Sequence, residues 1–389
     1  MIERHIDINR FDYDLPDGRI AKFPLPERSS SKLLVYRGGE ISEAHFADMG
    51  DVLPEGQLLV FNNTKVIRAR IIMHKPSGAR IEVFCLEPHD PADYERAFAV
   101  TGTCQWSCIV GNLKKWKEGY VEINFEHEGR PEHLRAWIAE NRGREHTVRF
   151  EWSAAMTFGQ LLEYLGRIPI PPYLNRESEL IDYTRYQTVY SKFEGSVAAP
   201  TAGLHFTPEL MAAIEAKGAK FAAVELEVGI DTFRLVEEDD PTQHVMHTER
   251  YHVSQEVVDA VHKAKAEGHR VIAVGTTAVR SLESAFDADA PVSDPAVTAR
   301  YFEGREDGAD TLGRGDIVAR ENATTQLYLM PGSTYHVVDA LITNFHVPRS
   351  TLMMLVSALA TRDQIMDAYA AAIEERYRFF SFGDAMFIK

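Results

Sequence analysis

Cysteine is scarce in this chain, with three residues among 389. Cys85, Cys104 and Cys108 are odd in number and lie close together, which argues against a disulfide framework. The paired C-x-x-C elements typical of structural zinc sites are missing, so no metal site is predicted. Cysteine usage therefore predicts a protein of the reducing cytoplasm.

Long apolar runs are also missing. The longest candidate, Leu352–Ala360, is shorter than the roughly 20 residues of a membrane span and is predicted to be a buried helix. The first ten residues are charged and lack the apolar centre of a signal peptide. We therefore expect a cytoplasmic protein without a membrane partner.

Positive charge is in deficit, since the formal net charge is −16. This charge argues against broad, nonspecific binding of nucleic acid, although a local basic patch would still allow one folded RNA to bind. For any single lysine, a solvated surface charge is the commoner explanation. The candidates for such a patch are Lys65, Arg68, Arg70, Lys114, Lys115, Lys117, Arg167, Arg176 and Arg185.

Three common catalytic signatures do not occur. The chain has no P-loop and no G-x-G-x-x-G, which removes the usual glycine-rich loop of Rossmann methyltransferases. It also has no G-x-S-x-G elbow, which argues against a serine hydrolase.

Short runs of β-branched and aromatic residues, separated by turn residues, fill the chain from Val66 to Trp152. This texture predicts a small barrel or sandwich. Within it, Pro131–Asn141 is predicted to form a short helix. The predicted strands are Ile67–Met73, Ile81–Leu86, Ala97–Thr101, Ser107–Val110, Tyr120–Phe125 and Thr147–Trp152.

Helices and strands alternate after about residue 159, which is the α/β pattern. The acidic stretch Asp287–Asn322 lacks periodicity and is predicted to be a loop. The predicted helices are Phe158–Leu165, Pro208–Lys217, Gln255–Glu267, Ala278–Phe286 and Arg362–Tyr377, and the predicted strands are Phe221–Val228, Val271–Val274 and Val337–Phe345.

Small residues precede a helix start in the segment Tyr186–Thr207, YQTVYSKFEGSVAAPTAGLHFT. Thr207 is a good N-cap and Pro208 a good first helical residue. Small residues allow backbone N–H groups to approach a ligand, and His205 lies beside that opening. On local pattern alone, an ordinary strand-to-helix connection with a hydrogen-bonded histidine is the favoured alternative.

A second strand-to-helix junction follows the apolar run Val271–Val274. Ligands in open α/β sheets bind at the carboxyl ends of strands, so Gly275, Thr276 and Thr277 are candidate ligand contacts. Arg280 is expected in the first helical turn, where a cation is unfavourable unless it has an anionic partner. A plain turn without function is an equally good explanation.

Two further polar clusters are candidate sites. His244, His247 and Glu249 do not match a known metal motif, and proton transfer or RNA contact explains them better than a metal. Asn344 and His346 follow a predicted strand and would again place polar groups at its carboxyl end.

Ordered blocks across the chain resemble the family of S-adenosylmethionine:tRNA ribosyltransferase-isomerases of the queuosine pathway. The resemblance is far more specific than a single glycine motif, because many blocks occur in the family's order. The blocks are Phe11–Val35, Leu58–Ile71, Gly166–Arg176, Tyr186–Thr207, Val228–Val236, His244–Tyr251, Val271–Ser284, Leu341–Ala360 and Tyr377–Ile388.

The resemblance implies an α/β main domain with a mixed sheet and an inserted small β-barrel domain. The strand-rich region fits the insertion, so residues 63–152 are assigned to the barrel, and residues 1–62 and 153–389 to the main domain.

The resemblance also implies the reaction. S-adenosylmethionine would serve as a ribosyl donor, and hence as a substrate, with no cofactor. The acceptor would be 7-aminomethyl-7-deazaguanine at the wobble position of a tRNA with a GUN anticodon. The products would be epoxyqueuosine-tRNA, adenine and methionine, and the protein is expected to be a monomer.

Candidate roles follow by residue type. His205 and His247 are candidates for proton transfer, and Arg280 is counted with them as a catalytic candidate that would hold the methionine carboxylate or a ribose hydroxyl. The other residues are candidates for substrate binding, by stacking on a base, by contact with tRNA phosphates or by contact with S-adenosylmethionine. They are Arg185, Tyr186, Tyr190, Lys192, Thr201, Gly203, Gly275, Thr276, Thr277, Asn344 and His346.

Two departures from the family pattern affect these expectations. Asp231 stands where the family usually has a small residue, and Ala323–Leu329 lacks the Gly-Trp-Thr opening that usually precedes Pro331. Two alternatives therefore stay open. One is a related S-adenosylmethionine- or nucleoside-processing enzyme with a changed acceptor. The other is a non-catalytic RNA-binding protein that uses the barrel as its platform.

Overall fold

The structure is a computed structural model that describes residues 6–229, 232, 235–291 and 315–389. Its strands, numbered along the chain, are β1 Lys32–Arg37, β2 Glu40–His45, β3 Leu58–Asn62, β4 Thr64–Val66, β5 Arg70–His74, β6 Arg80–Asp90, β7 Thr103–Gly111, β8 Val121–His127, β9 Arg130–Arg142, β10 Glu145–Trp152, β11 Phe193–Ser196, β12 Lys220–Leu226, β13 Glu249–Val253, β14 Val271–Val274, β15 Phe286–Asp287, β16 Asp316–Ile317, β17 Arg320–Thr325, β18 Ala340–Asn344 and β19 Ala385–Ile388.

The α-helices of the same ranges are numbered in the same way. They are α1 Met49–Val52, α2 Tyr94–Ala99, α3 Phe158–Leu165, α4 Asp182–Arg185, α5 Pro208–Ala216, α6 Gln255–Ala266, α7 Thr276–Ser284, α8 Thr351–Leu359 and α9 Arg362–Glu374. The N-cap predicted at Thr207 is confirmed, since its side chain accepts a hydrogen bond from the third backbone N–H of the helix, and Thr361 caps α9 in the same way.

A large mixed sheet organises the main body, with strand order β17-β13-β12-β3-β14-β18-β19-β1-β2. The four central strands β12, β3, β14 and β18 run parallel to one another, whereas β13 and β19 run antiparallel to them. The predicted fold class, an α/β domain with a mixed sheet beside a small barrel, is confirmed.

Both faces of β14, in the middle of the sheet, are buried, which explains why this strand is apolar throughout. Successive side chains point to opposite faces of a strand, so one strand supplies two cores. In β14, Val271 and Ala273 pack in the core on one face, and Ile272 and Val274 pack in the core on the other. Side chains that could contact a ligand are therefore expected at the ends of the strands.

A closed barrel is formed by six strands in the order β10-β7-β6-β5-β8-β9. Alternate residues of β7 are buried inside it, including Cys104, Trp106 and Cys108. Phe158 at the start of α3 contacts Trp106 and Phe150, so this helix belongs to the barrel core.

Two predictions within the barrel region are wrong. The segment Pro131–Asn141 is not a helix, because it forms most of β9, whose inward residues Leu134 and Ala136 alternate with less buried ones. Pairing with two neighbouring strands overrides the helical preference of its alanine and glutamate residues. The segment Ala97–Thr101 is not a strand, because α2 covers its first residues.

The predicted loop Asp287–Asn322 contains regular structure at both ends. β15 pairs with β16, and β17 begins at Arg320 as an edge strand of the large sheet. The interior of this segment, residues 292–314, lies outside the described residues.

All six barrel strands lie between Arg70 and Trp152, and all nine strands of the large sheet lie outside residues 63–152. The strand positions accord with the proposed division of the chain, whereas α3, which the division assigns to the main domain, packs in the barrel core. The boundaries stay a prediction. No helix in the described ranges is long and apolar enough to cross a membrane.

Candidate functional site

A pocket lies at the carboxyl ends of β14 and β18. These strands are parallel neighbours, with Val274 opposite Ile342, so the residues that follow them meet at one edge of the sheet. The space within the pocket, counted out to its open mouth, is about 670 Å³. Six of the predicted site residues line it together: Thr201, Gly275, Thr276, Thr277, Asn344 and His346.

The N-terminus of α7 forms one wall of this pocket. Gly275, with φ of +89°, is the N-cap residue, and no side chain caps the first N–H groups of the helix. Thr276 and Thr277 are therefore the first two helical residues. Thr277 Oγ1 is buried without a hydrogen-bond partner among the described residues. Free N–H groups at a helix N-terminus favour an anionic ligand.

Asn344 forms the opposite wall. Its Nδ2 lies 3.2 Å from Nε2 of His205 and donates to the carbonyl oxygens of Phe380, at 3.3 Å, and Asp384, at 3.4 Å. The other end of the amide, Oδ1, is buried and has no partner within the described ranges. The pocket therefore contains an unused hydrogen-bond acceptor.

His205 lies behind this wall and does not line the pocket. Its ring stacks on Phe46, and its Nδ1 lies 2.6 Å from Ser31 Oγ. Burial, with a smaller contribution from the Arg378 cation, lowers the pKa of His205 to about 3. The ring is consequently neutral near pH 7 and both nitrogens are engaged, and the proton-transfer role of His205 stays a prediction.

His346 lines the pocket as a neutral side chain. Burial lowers the pKa of His346 to about 3, and its Nε2 lies 2.9 Å from Thr343 Oγ1. Near pH 7 this neutral imidazole is suited to hydrogen bonding, whereas a general acid would need the protonated ring.

A wider cleft lies between the barrel and the large sheet, with about 1420 Å³ of space counted to its open mouth. Glu87 and Glu145 line it from the barrel, and Glu227, His247 and Glu249 line it from the main body. Val228 borders both this cleft and the pocket, so the two spaces adjoin.

Glu227 is the carboxylate in this cleft with the most perturbed titration. Burial raises the pKa of Glu227 to about 7, against a smaller opposing effect of Arg250. A Cβ at Gly195 would lie 3.3 Å from Glu227 Cγ, so β11 packs closely against this side chain. Glu227 therefore has the titration range of a general base near neutral pH.

Arg280 does not border the pocket or the cleft. It lies in the second turn of α7, not the first, and its guanidinium donates to Glu249, the anionic partner that its position had suggested. Burial alone would raise the pKa of Glu249, but Arg280 and His247 outweigh it and hold that pKa below its usual value. This ion pair engages Nη1, while Nε and Nη2 of Arg280 have no hydrogen-bond partner among the described residues, and the contact of Arg280 with substrate stays a prediction.

His247 does line the cleft, and its Nε2 lies 3.2 Å from Glu249 Oε1. His244 pairs with a different carboxylate, Glu238, at 2.8 Å. Groups of three or more His, Cys, Asp and Glu side chains suited to a metal do not occur in the described part of the chain.

The aromatic and basic residues before β11 are not grouped as predicted. Tyr186 is fully buried beside Phe382 and presents no surface for stacking a base. Arg185 is held by the carbonyl oxygens of Leu25 and Pro26. Only Lys192 is exposed.

Tyr190 and Gly203 form a structural contact next to the pocket. The Tyr190 ring lies 4.0 Å from that of Phe61, and its hydroxyl lies against the α-carbon of Gly203. Gly203 is thus required for packing under Tyr190, and neither residue is among those that line the pocket, so their contact with substrate stays a prediction.

Most of the predicted basic patch is neutralised. Lys65 pairs with Glu194, Arg70 with Glu82, and Arg176 with Asp182. Arg167 pairs with Glu177, and Arg68 lies over the Tyr183 ring. By contrast, the exposed loop residues Lys114, Lys115 and Lys117 have no ion-pair partner among the residues described.

Sequence reasoning missed Ser31 and Glu227. Glu227 follows the apolar strand β12, and a carboxylate in that position was a usable signal. Ser31 had none, because its importance arises from a contact with a residue 174 positions away. Of the two departures, Asp231 lies outside the described residues, and the edge strand β17 takes up the first part of Ala323–Leu329.

Comparisons with known proteins agree with the resemblance. The family model described as "Queuosine biosynthesis protein" matches residues 8–388. The chain is also similar to the crystal structure of an S-adenosylmethionine tRNA ribosyltransferase from Thermotoga maritima. The two share 31% sequence identity over 98% of this chain and 100% of that chain, with a TM-score of 0.48.

Proposed function

Because the chain belongs to the queuosine biosynthesis protein family, we propose that it is an S-adenosylmethionine:tRNA ribosyltransferase-isomerase. It transfers the ribosyl group of S-adenosylmethionine to the amine of 7-aminomethyl-7-deazaguanine at the tRNA wobble position and isomerises it. A base removes a proton from the ribose carbon next to the sulfonium, and the bonds from that five-carbon unit to the ribose ring oxygen, to adenine and to the methionine sulfur break. A bond to the acceptor nitrogen, which loses a proton, a bond between two of the ribose carbons and the epoxide C–O bond form, which gives epoxyqueuosine-tRNA, adenine and methionine.

The observation that carries this proposal is the pocket at the ends of β14 and β18. It combines an uncapped helix N-terminus, the Thr277 hydroxyl and the Asn344 amide oxygen, all without partners among the described residues. S-adenosylmethionine has matching groups, namely a carboxylate and several N–H and O–H donors. We assign the carboxylate to the N-terminus of α7, at Thr276 and Thr277, and the nucleoside to the side of Asn344 and His346.

The adjoining cleft is assigned to the acceptor base. A protonated aminomethyl group is a cation, and the carboxylates of Glu87 and Glu227 in the cleft favour its entry. The amine attacks only in its neutral form, so a base must take its proton. Glu227, with its pKa raised to about 7, is suited to that transfer.

The acceptor base must leave the anticodon stack to reach this cleft, as in other enzymes that act on a nucleobase. Lys192 and the exposed loop lysines Lys114, Lys115 and Lys117 are assigned to tRNA phosphates, because they are exposed cations on the main body and the barrel.

An adenine-release assay tests the proposal. The protein is mixed with S-adenosylmethionine and a GUN-anticodon tRNA that carries aminomethyl-deazaguanine, and the same tRNA without the modification serves as the control. We expect adenine and methionine only with the modified tRNA, with the matching mass gain on that tRNA.

Other outcomes would contradict the proposal. S-adenosylhomocysteine as product would show a methyltransferase. No turnover by folded protein that still binds S-adenosylmethionine would point to a changed acceptor, and tRNA binding alone would point to a non-catalytic role.

A further inference from the structure

A chain of three side chains runs from the protein interior to the pocket wall. Ser31 Oγ donates to the carbonyl oxygen of Arg28, at 3.2 Å, and lies 2.6 Å from Nδ1 of His205. The opposite ring nitrogen, Nε2, lies 3.2 Å from Nδ2 of Asn344. Ser31, His205 and Asn344 are each at least nine-tenths buried, so water does not compete for these contacts.

The direction of the hydrogen bonds in this chain is determined at Asn344. The carbonyl oxygens of Phe380 and Asp384, which can only accept, lie 3.3 and 3.4 Å from one end of the amide. That end must therefore be the NH₂ group, and the other end must be the oxygen. A flipped amide would set its oxygen against two carbonyl oxygens.

The tautomer of His205 follows from this orientation. Since Asn344 Nδ2 is a donor, Nε2 of the neutral ring has to accept, and the proton lies on Nδ1. Nδ1–H then donates to Ser31 Oγ, and the Ser31 hydroxyl donates onward to the carbonyl oxygen of Arg28. A single arrangement thereby accounts for every contact of the chain and leaves only Asn344 Oδ1 without a partner among the described residues.

The remaining atom, Oδ1 of the pocket-lining residue Asn344, is buried and has no partner in the part of the chain that the structure describes. A buried acceptor without a partner costs free energy unless a ligand supplies a donor. Asn344 is thus prepared to accept an N–H or O–H group.

We propose that His205 is a positioning residue, which holds Asn344 so that its Oδ1 accepts a hydrogen bond from an amino or hydroxyl donor of the nucleoside of S-adenosylmethionine. This inference rests on the proposed function. In this arrangement His205 does not contact the substrate, and Asn344 accepts the hydrogen bond from the nucleoside.

The test measures binding separately from turnover. S-adenosylhomocysteine, which has the same nucleoside donors and cannot react, is titrated into the full-length protein by calorimetry. His205→Leu is expected to weaken its binding about tenfold, corresponding to about 1.4 kcal/mol, because Asn344 loses its restraint. His205→Gln retains an acceptor for Asn344 Nδ2, and we expect its dissociation constant to stay within about threefold of wild type.

Ser31→Ala provides a variant outside the pocket. It removes the acceptor for Nδ1–H, frees the other tautomer, and is expected to weaken binding by about threefold to tenfold. Asn344→Ala removes the accepting oxygen itself and should weaken binding at least as much as His205→Leu. The melting temperature of each variant verifies that it is folded.

Turnover distinguishes positioning from proton transfer. A positioning His205 predicts that His205→Gln keeps most of the wild-type kcat and an unchanged pH profile. Loss of turnover in both His205 variants with unchanged binding would overturn the inference, as would equal binding by wild type, His205→Leu and Asn344→Ala. If wild-type protein does not bind S-adenosylhomocysteine or S-adenosylmethionine, the proposed function fails instead.

Discussion

Arg280 and Glu249 form an ion pair that is closed off from solvent on both sides, with 6% and 2% of their side chains exposed. The pair joins helix α7, whose N-terminus borders the pocket, to strand β13, whose first residue borders the cleft. It therefore connects an element that lines the pocket to an element that lines the cleft.

Glu249→Gln is expected to lower the free energy of unfolding by about 3–5 kcal/mol, because it leaves the Arg280 cation buried without its counterion. Denaturant unfolding measures this loss. The matched control is Glu194→Gln in the exposed pair with Lys65, where the change should be below about 1 kcal/mol. Equal losses of unfolding free energy in Glu249→Gln and Glu194→Gln would show that burial does not increase the contribution of the Arg280–Glu249 pair to stability.

The contribution of Glu249 to stability should depend on pH. Its pKa in the folded protein lies below the unfolded value, so the contribution is complete above about pH 5 and is lost as acid protonates the folded carboxylate. The stability difference between wild type and Glu249→Gln should consequently shrink below about pH 4. A difference that is constant down to pH 3 would contradict the assignment.

Glu227 should determine the pH dependence of turnover. A base with pKa about 7 is protonated and inactive below that value, so kcat/KM for the modified tRNA should rise through pH 7 and then level off. Glu227→Gln should lower kcat/KM by about 10²-fold and remove the rising limb. Glu87→Gln, which removes a carboxylate from the same cleft, should keep the limb.

Stability provides an independent check on Glu227. The pKa of Glu227 is about 7 in the folded protein and about 4.3 in the unfolded chain. As the pH rises from about 4.3 to about 7, the unfolded chain loses this proton first, and the folded state loses stability. Wild type should therefore lose stability relative to Glu227→Gln between pH 5 and pH 8. Urea unfolding at pH 5 and at pH 8 measures the difference in the free energy of unfolding between wild type and Glu227→Gln. The same difference at both pH values would contradict the raised pKa of Glu227.

Gly203→Ala should destabilise the turn before α5 by about 1–3 kcal/mol through overpacking. The new methyl group would overlap the Tyr190 hydroxyl and lie 2.8 Å from Cγ2 of Thr188. Removing the hydroxyl in the double variant Gly203→Ala/Tyr190→Phe should recover part of the loss. A double-mutant cycle measures the coupling, and strictly additive effects would show that the two residues do not collide.

The lysine loop of the barrel should contribute electrostatically to tRNA binding. Changing Lys114, Lys115 and Lys117 to Gln is expected to weaken binding about tenfold at low salt and to reduce the slope of log K against log salt by about 2. Lys220→Gln/Lys263→Gln, two exposed lysines elsewhere, serves as the control. An unchanged slope in the triple variant would remove this loop from the tRNA interface.

Part of the fold and of the site was predictable because it depends on local pattern. The strand Val271–Val274, the glycine after it and the helix that follows were identified from apolar runs and small residues. Parallel strands end at one edge of a sheet, so residues after β14 and β18 could be expected together, and Thr276, Thr277, Asn344 and His346 do line one pocket.

The errors arose where tertiary pairing decides. Residues 130–142 carry helix-forming residues but close a barrel between two strands, and the barrel's hydrogen bonds and inward packing outweigh local preference. The partner of Arg280 was missed for the same reason, because Glu249 lies 31 residues earlier in the chain.

By itself the sequence determined the family, the alternation of strands and helices, and the polar residues at strand ends, because these follow from motif order and residue periodicity. Only the tertiary structure decided what those residues can do. It joined His205 to Asn344 across 139 residues and to Ser31 across 174, and it buried Glu227 against β11. Burial and contacts between distant segments set protonation and hydrogen-bond direction, and neither is a local property of the chain.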